Sequence, residues 1–184
     1  MSEDRAIPPV RIAHFVLVSN DAARLVDWYK WVFGCEEVHR NDRIAFLTFD
    51  DEHHRFAIAQ SEAAAPKDGP TVGVHHIAFS YPGLEDLLTT YERLKAGDVR
   101  PYWCVDHGMT TSMYYRDPDG NQLEFQVDNF ATPEETKGIF RSPEFAANVY
   151  GNDYDPEAML AAWRDGSLVE QFPRSAQALG GHDR

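Results

Sequence analysis

Cysteine is scarce in this sequence: Cys35 and Cys104 are the only two among 184 residues. A pair without CxxC spacing argues against a disulfide framework and against a thiolate zinc site. Both fall in strand-like segments and read as half-buried thiols in a reduced compartment. Long apolar runs are missing as well. No stretch approaches the roughly 20 apolar residues of a membrane span. The start, MSEDRAIPPVRIAHFVL, lacks the basic region and small-residue cleavage site of a signal peptide, so a cytoplasmic protein without a membrane partner is expected. Positive charge is also in short supply. With 17 Lys and Arg against 30 Asp and Glu, the formal net charge is −13, a surface that repels phosphate backbones and argues against nucleic acid as partner.

What is present is an ordinary apolar fraction, 43%, on a chain long enough for one domain with a sizeable core. The chain also carries an internal repeat. Residues 10–18 (VRIAHFVLV) and 72–80 (VGVHHIAFS) are β-branched apolar runs with a histidine near the middle, each followed by a turn and an amphipathic helix. The first helix, DAARLVDWYKWVFG, places Leu25, Trp28, Tyr29 and Val32 or Phe33 at helical spacing, with capping residues at 19–21 and Gly34 as its stop. The second, PGLEDLLTTYERLKAG, carries Leu84, Leu87, Leu88, Tyr91 and Leu94 on one stripe. Further strands are expected at 36–40, 43–50 and 54–60, and again at 99–105, 110–116 and 121–128. DPDGN at 117–121 reads as a hairpin turn.

These elements predict an α+β fold of two βαβββ modules, about 10–60 and 72–128, joined by a linker at 61–71 and paired into one domain over residues 1–130. Residues 131–184 form an extension with a short helix at 156–166 and a tail ending LGGHDR.

Overlaying the two initial strands aligns His14 with His76. Strand parity then puts His14, Val16 and Val18 on one face, and His76, Ala78 and Ser80 on the corresponding face of the second module. On the last strand Gln122, Glu124 and Gln126 share a polar face, whereas Leu123, Phe125 and Val127 face a helix. A lone strand histidine is ordinarily a core or surface group. Two at equivalent positions, with a mid-strand glutamate that is costly to bury unpaired, favour a metal. Two imidazoles and one carboxylate are the donor set of the facial triad of non-haem Fe(II), which leaves coordination positions open. His75 rivals His76, but the repeat and the parity both favour His76.

HFVLV at 14–18, HHRFAIA at 53–59, HHIAF at 75–79 and HGMTTSMYYRDPDGNQLEFQVDNF at 107–130 resemble the one-domain type I extradiol ring-cleaving dioxygenases. These belong to the vicinal-oxygen-chelate (glyoxalase/bleomycin-resistance-like) superfamily. The resemblance implies Fe(II), with Mn(II) the other candidate ion, held by His14, His76 and Glu124. It implies His54 as the acid–base group of ring opening and Tyr114 as a hydrogen-bond donor to substrate or oxygen. His107 falls near the family's substrate-contacting histidine, although two residues closer to the tyrosine than the family spacing. The implied reaction is cleavage of a catechol-type substrate by O₂ to a muconic semialdehyde-type product in aromatic catabolism. Open strand edges favour a homodimer. Trp103, Phe130, Phe140 and Tyr150 are candidates for an aryl pocket, and core packing accounts for them equally well.

Two other classes stay open. A glyoxalase-like lyase or isomerase would add a fourth metal ligand, for which Gln60 is available. A small-molecule-binding protein of the same fold would lack a complete triad.

Overall fold

The computed structural model describes residues 6–168 except 66, 68 and 70. The first five residues and the tail ending LGGHDR lie outside the described residues. The chain divides into two compact units, one running to Gly69 together with Pro118–Gly120, the other covering the remainder. The architecture is α+β, with a βαβββ module in each unit.

The first module runs β1 (Phe15–Ser19), α1 (Ala22–Phe33), β2 (Glu36–Arg40), β3 (Ile44–Thr48) and β4 (Phe56–Gln60). Its sheet has the order β1-β4-β3-β2, with β1 parallel to β4 and the other pairs antiparallel. The Asp21 carboxylate caps α1 by accepting the Arg24 N–H at 3.1 Å, and Gly34 closes it in the left-handed region at φ 67°, a conformation a Cβ would strain. Leu25, Val26, Tyr29 and Val32 are buried over Leu47, Phe56 and Ile58, and Tyr29 sets its ring edge to Phe56 at 4.7 Å. Each such side chain contributes about 1.5–3 kcal/mol by leaving water. The buried arc is displaced from the expected stripe: Val26 joins it and Trp28 stays half-buried.

The first strand is shorter than expected because its leading carbonyls are engaged elsewhere. The Arg55 guanidinium donates to the Ile12 and Ala13 carbonyls at 2.9 and 3.0 Å, so regular pairing begins at Phe15. His14 sits just ahead of β1 yet keeps its parity, exposed like Val16 and Val18, whereas Leu17 and Ser19 are buried.

The second module runs β5 (His76–Ser80), α2 (Leu84–Ala96), β6 (Trp103–Asp106), β7 (Thr110–Arg116) and β8 (Gln122–Asp128). The whole expected stripe of α2 is buried, and Leu123, Phe125 and Val127 of β8 are buried too. The residues expected to form the hairpin turn do so locally: the Asp117 carboxylate accepts the Asn121 N–H at 2.8 Å, and Gly120 adopts φ 82°.

The extension holds more structure than the single helix expected. α3 (Pro133–Ile139), α4 (Pro143–Ala147), β9 (Asn152–Asp153) and α5 (Pro156–Arg164) follow β8. β9 pairs antiparallel with β6, giving a five-stranded sheet of order β5-β8-β7-β6-β9. All three helices open with one device: a capping side chain (Thr132, Ser142 or Asp155), then proline, then glutamate. Proline suits a first turn whose N–H needs no partner, and the glutamate meets the positive helix end.

Cys104 lies in β6, but Cys35 falls between α1 and β2 rather than in a strand; both are free and buried. Burial, then the carboxylate of Asp50 for Cys35 and those of Asp155 and Asp153 for Cys104, push each thiol up to about 12.

Candidate active site

The register of the second sheet builds the site. Glu124 sits at the middle of β8, with Ala78 of β5 on one side and Tyr114 of β7 on the other. Ala78 is small, so the diagonal neighbour His76 reaches across it, a contact that strand geometry permits for long side chains. His76 Nε2 lies 2.9 Å from Glu124 Oε2. Glu124 is 5% exposed, and a carboxylate so buried requires a cationic or hydrogen-bonding partner. The other ring nitrogen of His76 meets His75 Nδ1 at 2.9 Å, the kind of outer contact that orients a ligating imidazole. His75 itself is exposed.

Tyr114 stands over the same carboxylate. Its ring crosses that of His76 edge-on at 5.3 Å and stacks on Trp103, its cross-strand neighbour, at 4.7 Å. Burial, then the Glu124 charge, raise its phenol well above the usual range, so it remains a donor. His107 completes the group, with Nε2 3.0 Å from the Tyr114 hydroxyl and 3.9 Å from Glu124 Oε1. Tyr115 faces the other side and packs on Phe125 at 4.9 Å.

In the first unit, His14 and His54 lie together with ring centroids 4.4 Å apart, and Phe46 meets His54 edge-on at 4.9 Å. His54 Nδ1 is engaged by His53 Nδ1 at 2.6 Å. Lost hydration, then the neighbouring His14 and His53, lower the His54 pKa, partly opposed by Glu52. The six expected site residues thus form two groups: His14 with His54, and His76 with Glu124, Tyr114 and His107. Among the described residues, no cluster of three or more His, Cys, Asp or Glu side chains is arranged to hold a metal. The donor chemistry of the His76–Glu124 pair nonetheless suits a divalent ion, which needs an imidazole nitrogen and an ionised oxygen.

Gln60, the residue available as a fourth ligand, is engaged elsewhere. Val16, the counterpart of Ala78, pairs with Ala57, so alanine stands where the second module has Glu124. Gln60 lies on the helix-facing side, where its Oε1 accepts the Ala22 N–H and its Nε2 donates to the Asn20 carbonyl, both at 2.8 Å. Its side chain is committed to the start of α1. Of the four candidate pocket aromatics, Trp103 joins the site and Phe130 is buried, whereas Phe140 and Tyr150 are 53% and 74% exposed. Tyr102, not singled out from the sequence, donates to Gln122 Oε1 at 2.6 Å beside Tyr114; no motif marks it.

The pattern of the Glyoxalase/Bleomycin resistance protein/Dioxygenase superfamily matches residues 11–125, which span both modules. The chain belongs to this superfamily. Within it, two relatives from Rhodococcus globerulus are similar nearly end to end. Biphenyl-2,3-diol 1,2-dioxygenase 3 is 41% identical over 171 residues, and biphenyl-2,3-diol 1,2-dioxygenase 2 is 38% identical over 170. Each alignment covers 92% of this chain and 90% of the relative. A protein from Geobacillus genomosp. 3, named a manganese-dependent 2,3-dihydroxybiphenyl 1,2-dioxygenase, is 26% identical over 151 residues, 78% of this chain and 44% of that protein.

Proposed function

We propose that this protein cleaves the ring of a catechol-type aromatic by extradiol dioxygenation, using a divalent metal held by His14, His76 and Glu124. The observation that carries the reading is the convergence of His76, Tyr114 and His107 on the buried Glu124 carboxylate. The end-to-end similarity to two biphenyl-2,3-diol dioxygenases supports a vicinal diol on an aromatic ring as the substrate. Bound there, the cation supplies the positive charge that favours an ionised diol and a common seat for diol and O₂. Fe(II) is the ion we assign; the manganese-dependent relative makes Mn(II) the alternative.

The remaining roles belong to the chain. We assign His54, whose pKa is lowered, to take a diol proton and return it during ring opening. Tyr114, held protonated by burial and by Glu124, donates a hydrogen bond to developing negative charge. We assign His107 to contact the substrate hydroxyl. The product is of the muconic semialdehyde type, which fits a place in aromatic catabolism. We place the enzyme in the cytoplasm on its two free thiols, and as a homodimer on the edge strands of its sheets. No helix among the described residues is long and apolar enough to cross a membrane.

The deciding experiment reconstitutes the protein anaerobically with Fe(II) or Mn(II), then adds 2,3-dihydroxybiphenyl and air. A yellow ring-opened product with one O₂ consumed per diol is expected. Absence of oxygen uptake with either metal across a series of substituted catechols would refute the assignment.

A further inference from the structure

We propose that residues 148–153 of the extension position the active site, the Tyr150 carbonyl holding His107 in the tautomer that turns its Nε2 toward Tyr114. This deepens the assignment above and rests on it for its catalytic consequence. His107 Nδ1 lies 2.8 Å from the Tyr150 carbonyl oxygen. A carbonyl only accepts, so Nδ1 carries the hydrogen; in the neutral ring Nε2 then has the lone pair. The Tyr114 hydroxyl lies 3.0 Å from Nε2. With the opposite tautomer, Nδ1 would meet the carbonyl lone pair to lone pair.

Three features bring that carbonyl into place. Gly151 adopts φ 86°, and a Cβ built there would lie 2.1 Å from the Asp106 carbonyl oxygen and 2.7 Å from His107 Cα. These are backbone atoms that cannot swing aside, so glycine alone permits the approach. The Asn148 side chain ties the turn, accepting from the Tyr150 and Gly151 N–H groups at 3.3 and 3.2 Å and donating to the Gly151 carbonyl at 2.6 Å. β9 then pairs with β6, next to His107. From the opposite side, the fully buried Asn129 donates to Asp106 Oδ1 and to the Gly108 carbonyl, both at 3.0 Å. The 106–108 segment is therefore clamped between Asn129 and the extension, and the ring of His107 takes its orientation from the latter.

The test reads the ring itself in metal-free protein labelled with ¹⁵N-histidine, by long-range proton–nitrogen correlation under conditions where the imidazole is neutral. Wild type should show His107 as the Nδ1–H tautomer. Gly151→Ala and, more gently, Asn148→Ala should convert it to a mixture, while Tyr150→Ala, which removes an exposed ring but keeps the carbonyl, should leave the tautomer signal in place. In the metal-loaded enzyme the first two variants should lose about 10–100-fold in kcat, the usual cost of an outer positioning contact. An Nε2–H tautomer in wild type overturns the proposal. So does an unchanged tautomer in both variants, or an altered tautomer with unaltered kcat. Failure of wild type to cleave any catechol would instead strike the assigned reaction, leaving the ring measurement to stand alone.

Discussion

At the scale of single residues, the neighbouring histidines His75 and His76 separate cleanly. His76 reaches Glu124, while the ring of exposed His75 meets its neighbour's far nitrogen. His76→Ala should abolish metal uptake, measured by elemental analysis after reconstitution and desalting. His75→Ala should still bind, weakened by about tenfold at most, as expected for an outer contact; the reverse order would mean that the strand register is misassigned. His54 has a different signature. His54→Ala should keep its metal and slow turnover by about 10²–10⁴-fold, the range of a general acid–base group.

The pH dependence of His54 has a definite sign. Its pKa is lowered in the folded protein, so the unfolded chain takes up the proton first as pH falls below about 6.5, the ordinary histidine value. Its contribution therefore lowers stability in acid and has no effect well above that pH. The acid limb of kcat/KM should lie below about 6.5 and should vanish in His54→Ala. A limb that persists in the variant would assign it to another group.

At the scale of elements, Gln60 shows how a plausible ligand is claimed by local structure. Its amide satisfies one orphan donor at the start of α1 and one carbonyl before it. Gln60→Ala should cost about 1–2 kcal/mol in denaturant unfolding, for two hydrogen bonds lost, and should leave metal content unchanged. Metal loss in that variant would revive a four-ligand, glyoxalase-like centre. The helices of the extension illustrate the converse. Their Thr-Pro-Glu, Ser-Pro-Glu and Asp-Pro-Glu starts are plain in the sequence, but only the third precedes an apolar stripe long enough to be read as a helix. The other two are helices of seven and five residues, too short for periodicity to register.

At the scale of the whole molecule, the homodimer reading predicts twice the chain mass by light scattering. A monomer mass would end that reading. Much of the rest was determined by sequence alone. Period-two and period-3.6 patterns, repeated once, dictate which elements form and which face each presents, since that depends only on local backbone geometry. The facing of His14, His76 and Glu124 was legible for this reason, whereas the choice of Tyr114 over Tyr115 came from the family resemblance. The partners across strands were not. That Ala78 leaves room for His76 to reach Glu124, that Ala57 stands where a fourth ligand would be, and that the Tyr150 carbonyl meets His107 are matters of register and chain return between segments up to 48 residues apart. Such contacts are chosen by packing, which no local pattern encodes.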